Sequence, residues 1–319
     1  MGQVITVGCG LIVLCFVFSM INPNFSGPRN IANLLRQIAP YLIVGIGQSF
    51  VLITGNIDLS IGSVLGMSCM MSATLMCNGF NPIVAALITM LACLVTGIIN
   101  GMLVAGCKLP PFIATLGTMT IARGIAQLVN NNMNTNSIGD FAAQFRDFFY
   151  YGKIAGVYNT FWVAVVLWLV FNFILSQTRT GRHLYAAGSN VEAAKLSGVN
   201  IKLTTVKAYT VSSFCAGMVG LIQCATTGTG TMDAGMSYEM YAVAASVIGG
   251  VSTLGGQGIL LGTVIGACVW GVLNNGLQFA GAPVALRNIV IGIIVILSVL
   301  SDVVARSGRF SFKRRKQSV

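Results

Sequence analysis

The chain has 319 residues, of which 55% are hydrophobic and only 8% charged, with a mean hydropathy of +0.83. Soluble domains carry about 25% charged residues, so one water-soluble core cannot account for this composition, whereas a lipid bilayer can. The net charge of +11 would suit nucleic acid, but its distribution along the chain excludes that partner, as shown below.

Ten apolar segments follow one another. The first, Val4–Ile21, has no basic residue before it and is long enough to cross a bilayer. It reads as a membrane helix rather than a cleavable signal peptide. The others are Ile38–Thr54, Leu59–Cys77, Ile83–Gly106, Phe112–Val129, Phe161–Ser176, Ala208–Thr226, Glu239–Val251, Ile259–Phe279 and Asn288–Val304. The eighth is too short to span alone and is expected to be broken or re-entrant. The expected fold class is an all-α integral membrane protein: one transmembrane domain over 1–319, with about ten transmembrane helices.

The basic residues orient it. With both termini inside, Lys108, Arg179, Arg182, Lys195, Lys202, Lys207, Arg306, Arg309, Lys313, Arg314, Arg315 and Lys316 lie inside, 12 in all; Arg29, Arg36, Arg146, Lys153 and Arg287 lie outside, 5 in all. This bias is the pattern of cytoplasmic loops, so the positive charge anchors topology and no nucleic-acid role is expected. Three extramembrane stretches result: an outer loop at 130–158, an inner polar loop at 177–207 and a basic inner tail at 305–319. Within the inner loop, "NVEAAKLSG" places a capping Asn before helix formers and a stopping Gly, which predicts a short surface helix with Val191–Leu196 at its core.

The stretches "GNIDLSIGSVLGMSC" and "GGVSTLGGQGILLGTVIGAC" share a form: a helix ends, a Gly-rich break follows, and a small-residue helix begins. Matching segments two to five with seven to ten puts the units five helices apart. An odd offset reverses their direction, giving an inverted repeat of the kind found in transporters. The glycines Gly249, Gly250, Gly255, Gly256 and Gly258 lack the endings and spacing of a phosphate loop. They read as close helix packing and unwound backbone, and no cofactor is expected.

The nine cysteines (Cys9, Cys15, Cys69, Cys77, Cys93, Cys107, Cys215, Cys224 and Cys268) fall in or beside apolar runs with no CxxC pair. They read as packing residues, not as a disulfide framework or a zinc site. The acids are Asp58, Asp140, Asp147, Glu192, Asp233, Glu239 and Asp302, and the one histidine, His183, sits in the inner loop beside Arg182. No intramembrane Ser/His set, paired Asp or HExxH is present, so neither catalysis nor a metal site is expected. Charges at membrane depth cost about 2.5–3.5 kcal/mol at a helix centre, so Asp58 and Arg123 need a reason. Asp58 reads as an N-cap at the inner end of the third segment, its oxygen accepting from free backbone N–H groups. The other reading is an ion-coupling carboxylate. Arg123 pairs with a backbone carbonyl or an acid, or lines a polar path. Asn100, Thr115, Thr118, Asn274 and Asn275 are candidates for the path lining or for joints between helices, and Ser60 and Glu239 join them as polar motif residues.

Several strings together resemble one family. "GNIDLSIGSVLGM" is similar to the "GGIDLSVGS" signature of permease subunits of ribose-type ABC sugar importers. "LPPFIATLGTMTIARGIA" resembles their "FIATLG…RG" segment, and "TRTGRHLYAAGSNVEAAKLSGVNI" their cytoplasmic loop. "YEMYAVAASVIGGVSTLGGQG" and "VLNNGLQFAG" resemble two further motifs. These strings run in order from Gly55 to Gly281. The resemblance implies a bacterial inner-membrane subunit with both termini cytoplasmic. Two copies would form the path, a periplasmic protein would deliver a monosaccharide, and a cytoplasmic ATPase would hydrolyse ATP. It implies that the inner loop, with Gly181, Arg182, Gly188, Asn190, Glu192, Ala193 and Ala194, docks on that ATPase. Two positions depart: Asn56 stands where the family has Gly, and Tyr241 where it often has Asp. The rival readings are an ion-coupled secondary transporter using Asp58 and Arg123, and a passive channel.

Overall fold

The computed structural model describes residues 2–307, and these are almost wholly helical. In chain order the helices are α1 (Gly2–Ile21), α2 (Pro28–Ile53), α3 (Ile61–Cys77), α4 (Pro82–Ala105), α5 (Pro111–Leu128), α6 (Ala143–Arg146), α7 (Asn159–Gln177), α8 (Arg179–Ser189), α9 (Val191–Leu196), α10 (Ile201–Thr227), α11 (Tyr238–Ile248), α12 (Leu260–Phe279) and α13 (Val284–Ser307). Pro28, Pro82 and Pro111 open α2, α4 and α5 at the first turn, where the missing N–H is not needed. Asn81, Asn190 and Asn200 cap α4, α9 and α10 through side-chain oxygens. Gly228, left-handed at φ 68, ends α10.

Six described helices are long and apolar enough to cross a membrane: α1, α2, α4, α7, α10 and α12. They divide by exposure. Most of α2, α10 and α12 is buried within the protein, together with α3 and α11. By contrast α1, α4 and α7 display apolar side chains such as Ile12, Phe16, Leu87, Leu91, Val166 and Phe173. An outward apolar surface of that extent is what lipid covers. The inner helices pack reciprocally: α10 lies against α3 and α4, while α2 lies against α11 and α12.

Two breaks interrupt the inner helices. After α2, residues 54–60 leave the helix and turn back before α3 begins. After α10, residues 228–237 run back along α3, with Gly230 against Met70 and Ala73, Ala234 against Gly66 and Gly235 against Gly62. The start of α11 therefore meets the start of α3, and each of these short helices covers only part of the layer's depth.

The segment boundaries shift at four places. The second apolar segment begins at Pro28 rather than Ile38, because Asn30 and Arg36 find partners inside: Asn30 bonds Phe25 and Asn275, and Arg36 stacks on Tyr150 and Tyr158. The seventh begins at Ile201 rather than Ala208, with Lys202 and Lys207 on its exposed side. The 177–207 stretch is not a loop carrying one helix. It holds α9 over Val191–Leu196, as expected, and before it the amphipathic α8, whose polar face hydropathy cannot register. The 130–158 stretch carries α6 and a small hairpin pairing Lys153 with Tyr158 and Ile154 with Val157. Of the basic tail, residues 308–319 lie outside the described residues, including Arg309, Lys313, Arg314, Arg315 and Lys316.

Candidate translocation path and coupling surface

Asp58 is fully buried. Its Oδ1 accepts from the Ser60 N–H at 2.9 Å and the Ser60 hydroxyl at 2.6 Å, and its Oδ2 accepts from the Ser212 hydroxyl at 2.7 Å. The expectation of an N-cap at the inner end of α3 needs correction on two counts. The residue flanking α3 is Ser60, and Asp58 binds two residues on, as an Asx turn. Nor does it sit at a helix end. Ser212 lies eleven residues into α10, about 17 Å along a helix about 40 Å long. The 54–60 break therefore carries Asp58 deep into the bundle.

The relay continues outward. Asn100 on α4 donates to the Ser60 hydroxyl at 2.9 Å and accepts from Thr118 on α5 at 2.6 Å. The Tyr209 hydroxyl donates to the Ile57 carbonyl at 3.0 Å. Asp58, Ser60, Asn100 and Thr118 thus form one connected network joining the break to α4, α5 and α10. Buried polar groups are tolerable when satisfied in this way, and such networks fix one arrangement. Ser212 and Tyr209 are members that hydropathy did not single out; the "SS" pair at 212–213 within an apolar helix was the available signal. Thr115 stays outside the network and bonds back to Pro111.

The second break is held differently. Half-buried Arg123 donates through one terminal nitrogen to the carbonyls of Met232 and Ala234, both at 2.8 Å. That is the backbone-carbonyl pairing expected for it. Glu239, in the first turn of α11, stands beside Gly62, where a methyl group would collide with its carboxylate. Asp58 and Arg123 do not meet, and each is engaged elsewhere. Among the described residues there is one ion pair, Lys195–Glu192.

Asn274 and Asn275 join helices. Asn275 exchanges hydrogen bonds with Asn30 (2.9 and 3.3 Å), and Asn274 donates to the Tyr41 hydroxyl at 3.2 Å. Tyr41 opens an aromatic cluster: ring centroids lie 5.6 Å from Tyr41 to Tyr241, 5.4 Å from Tyr238 to Tyr241 and 5.1 Å from Tyr241 to Trp270. Tyr241, the position that departs from the family's frequent Asp, is therefore the centre of an aromatic wall.

The α8–α9 pair sits on the end of the molecule where α2 stops. Arg182, Asn190, Glu192 and Ala193 are exposed, as are Val191 and Leu196, the latter 91% exposed. Gly181 and Ala194 face inward, and Gly188 is pressed on both sides. A Cβ at Gly188 would overlap the Ile53 carbonyl and approach the Gly256 nitrogen to 2.6 Å. That carbonyl and nitrogen are themselves hydrogen-bonded at 2.8 Å. The end of α8 thus touches the last residue of α2 and the turn after α11 at once. The "GGVSTLGGQG" glycines serve this close packing: Gly249 meets Gly262, and Gly255 meets Gly55.

The model for the branched-chain amino acid transport system / permease component family matches residues 30–299. The chain belongs to this family. It is similar to the ribose import permease protein RbsC of Bacillus subtilis (strain 168), with 36% identity over 92% of this chain and 90% of that protein. The D-allose transport system permease protein AlsC of Escherichia coli (strain K12) is 35% identical over 92% of this chain and 89% of its own. The galactose/methyl galactoside import permease protein MglC of the same strain is 33% identical over 92% and 91%. No solved structure matches the chain. As a permease component the molecule is a membrane transport subunit and not an enzyme.

Proposed function

We propose that this permease is the translocation subunit of an ATP-driven monosaccharide importer. The curated relatives named for ribose, allose and galactose support a sugar as cargo, although the family's own description mentions amino acids. In this reading a second copy completes the path and a separate ATPase sits beneath the exposed ridge of α8–α9. A binding protein delivers sugar at the 130–158 end. The α8–α9 end and both termini face the cytoplasm of a bacterial inner membrane, in keeping with the lysine and arginine distribution.

The observation that carries the reading is the contact of Gly188 with both Ile53 and Gly256. Movement of α8–α9 reaches the ends of α2 and α11 without an intermediary. These helices border the two breaks, and the breaks hold the polar and backbone groups that a sugar needs in place of water. The reciprocal packing of α2 and α10, with α3 and α11 starting side by side, supports an inverted repeat of α2–α5 and α10–α13 and about ten passes in all. Two global states of that repeat, favoured by different nucleotide conditions of the ATPase, would alternate access.

The test is sugar uptake by proteoliposomes holding the permease, its ATPase and the binding protein. Glu192→Lys reverses an exposed charge on the ridge and is expected to cut ATP-driven uptake at least about tenfold, with the protein folded. Full uptake by an intact complex carrying this change would refute coupling through α9. Accumulation by the permease alone, driven by an ion gradient, would restore the secondary-transport reading.

A further inference from the structure

A cavity of about 520 Å³ opens beside the coupling helices. Lys108, from the turn after α4, Lys195 on α9 and Lys202 in the first turn of α10 line it, with Thr54, Asn56 and Thr205. No aspartate or glutamate lines it. Lys195 is held by Glu192, but Lys108 and Lys202 have no ion-pair partner among the described residues. Lys108 adopts a left-handed backbone with φ 58, a costly conformation for a residue with a side chain.

Two further features point to a ligand. Thr205 is only 4% exposed, lines the cavity, and its hydroxyl makes no hydrogen bond, not even to the preceding turn as Thr204 does. The Thr205 hydroxyl is left free to donate into the cavity it lines. The cavity also receives the start of the 27-residue helix α10. There the Asn200 side chain takes the Leu203 N–H, leaving those of Ile201 and Lys202 open at the positive end of the helix dipole. Lysine ammoniums, free N–H groups and a hydroxyl donor without a partner are the donor set of a phosphate site.

We propose that this cavity binds a phosphate group, carried either by an anionic phospholipid headgroup or by a soluble phosphate. Its place suits both sources. Lys108 lies just past the end of the long apolar helix α4 and Lys202 in the first turn of α10, where a headgroup could reach both, yet the cavity is open to solvent. A bound phosphate would bridge α4, α9 and α10, steadying the coupling helix against the bundle. This assignment needs no ATPase and no sugar, so it stands or falls apart from the transport reading.

The experiment measures binding to the purified full chain in a neutral detergent. The probes are phosphatidylglycerol against phosphatidylcholine, and inorganic phosphate against chloride at equal ionic strength. The readouts are the shift in thermal unfolding midpoint and the apparent dissociation constant. Saturating phosphatidylglycerol is expected to raise the midpoint where phosphatidylcholine does not. Lys108→Gln and Lys202→Gln should each weaken binding about fivefold, and together about thirtyfold. Thr205→Val should weaken it further without altering net charge. Lys207→Gln, on the same helix but outside the cavity, should leave binding unchanged. A response to phosphatidylglycerol alone assigns the headgroup, and a matching response to inorganic phosphate assigns the soluble ion. No selective response to either, or equal weakening by Lys207→Gln and Lys202→Gln, overturns the site.

Discussion

The two breaks do the same geometric work with opposite chemistry. At 54–60 an acid gathers donors: Asp58 takes three hydrogen bonds, and the relay passes through Ser60 and Asn100 to Thr118. At 228–237 a cation gathers acceptors: Arg123 donates to two carbonyls of the returning chain. The first fastening is buried and shared among α4, α5 and α10, whereas the second combines half-buried Arg123 of α5 with Asn134 and Thr135 of the 130–158 stretch, which bond the backbone of Met232 and Gly230. Both reach α5, through Thr118 and Arg123, five residues apart. That helix is a common strut, and a shift in it would loosen both breaks together.

The comparison can be broken first at its stronger end. Asp58→Leu leaves the Ser60 N–H and two hydroxyls without their acceptor at a fully buried site. The expected loss is about 4 kcal/mol, read as a lowered unfolding midpoint in a detergent titration. Next is Gly62→Ala, where the added methyl meets the Gly235 carbonyl and the Glu239 carboxylate across the two breaks. Neither backbone can yield freely, and about 2–3 kcal/mol is expected by the same titration. Arg123→Met strips two carbonyls of their donor, but the site is half open and water can replace part of it; about 2 kcal/mol is expected. If Arg123→Met proved as damaging as Asp58→Leu, the view of a buried against a half-open fastening would fail.

What could be read from the sequence follows from which forces act at a distance of a few residues. Hydropathy located the segments because lipid demands continuous apolar length, and the capping pattern marked the short helix with Val191–Leu196 at its core. Asp58 and Arg123 stand out as charges in apolar runs, and Asn100 and Thr118 as polar candidates for a lining or a joint; with Ser60, all five make specific bonds. Depth was misread. A hydropathy profile places a break at the end of a helix, but an extended chain advances about 3.3 Å per residue against 1.5 Å in a helix, so 54–60 climbs back into the bundle. Helix α8 was invisible because its buried stripe, Gly181, Leu184 and Ala187, is narrow and its other face polar. The first turns of α2 were missed because polar residues there face protein partners rather than lipid.

The finest test concerns a bond between break and bundle that no motif announced. Tyr209, fully buried, holds the Ile57 carbonyl, the residue just before Asp58. Tyr209→Phe removes this bond and almost no volume, so packing is preserved and the loss should be about 1 kcal/mol. The informative measurement is the double variant with Asp58→Leu. If Tyr209 and Asp58 fasten the same strand, the second change should cost less once the first has freed it, because the Ile57 carbonyl of a released strand can find water. The two losses would then sum to more than the double variant shows, with a coupling of at least about 0.5 kcal/mol. Strict additivity would mean that the strand is held at Ile57 independently of its acid, and the network would end at Ser212 rather than embrace the whole break.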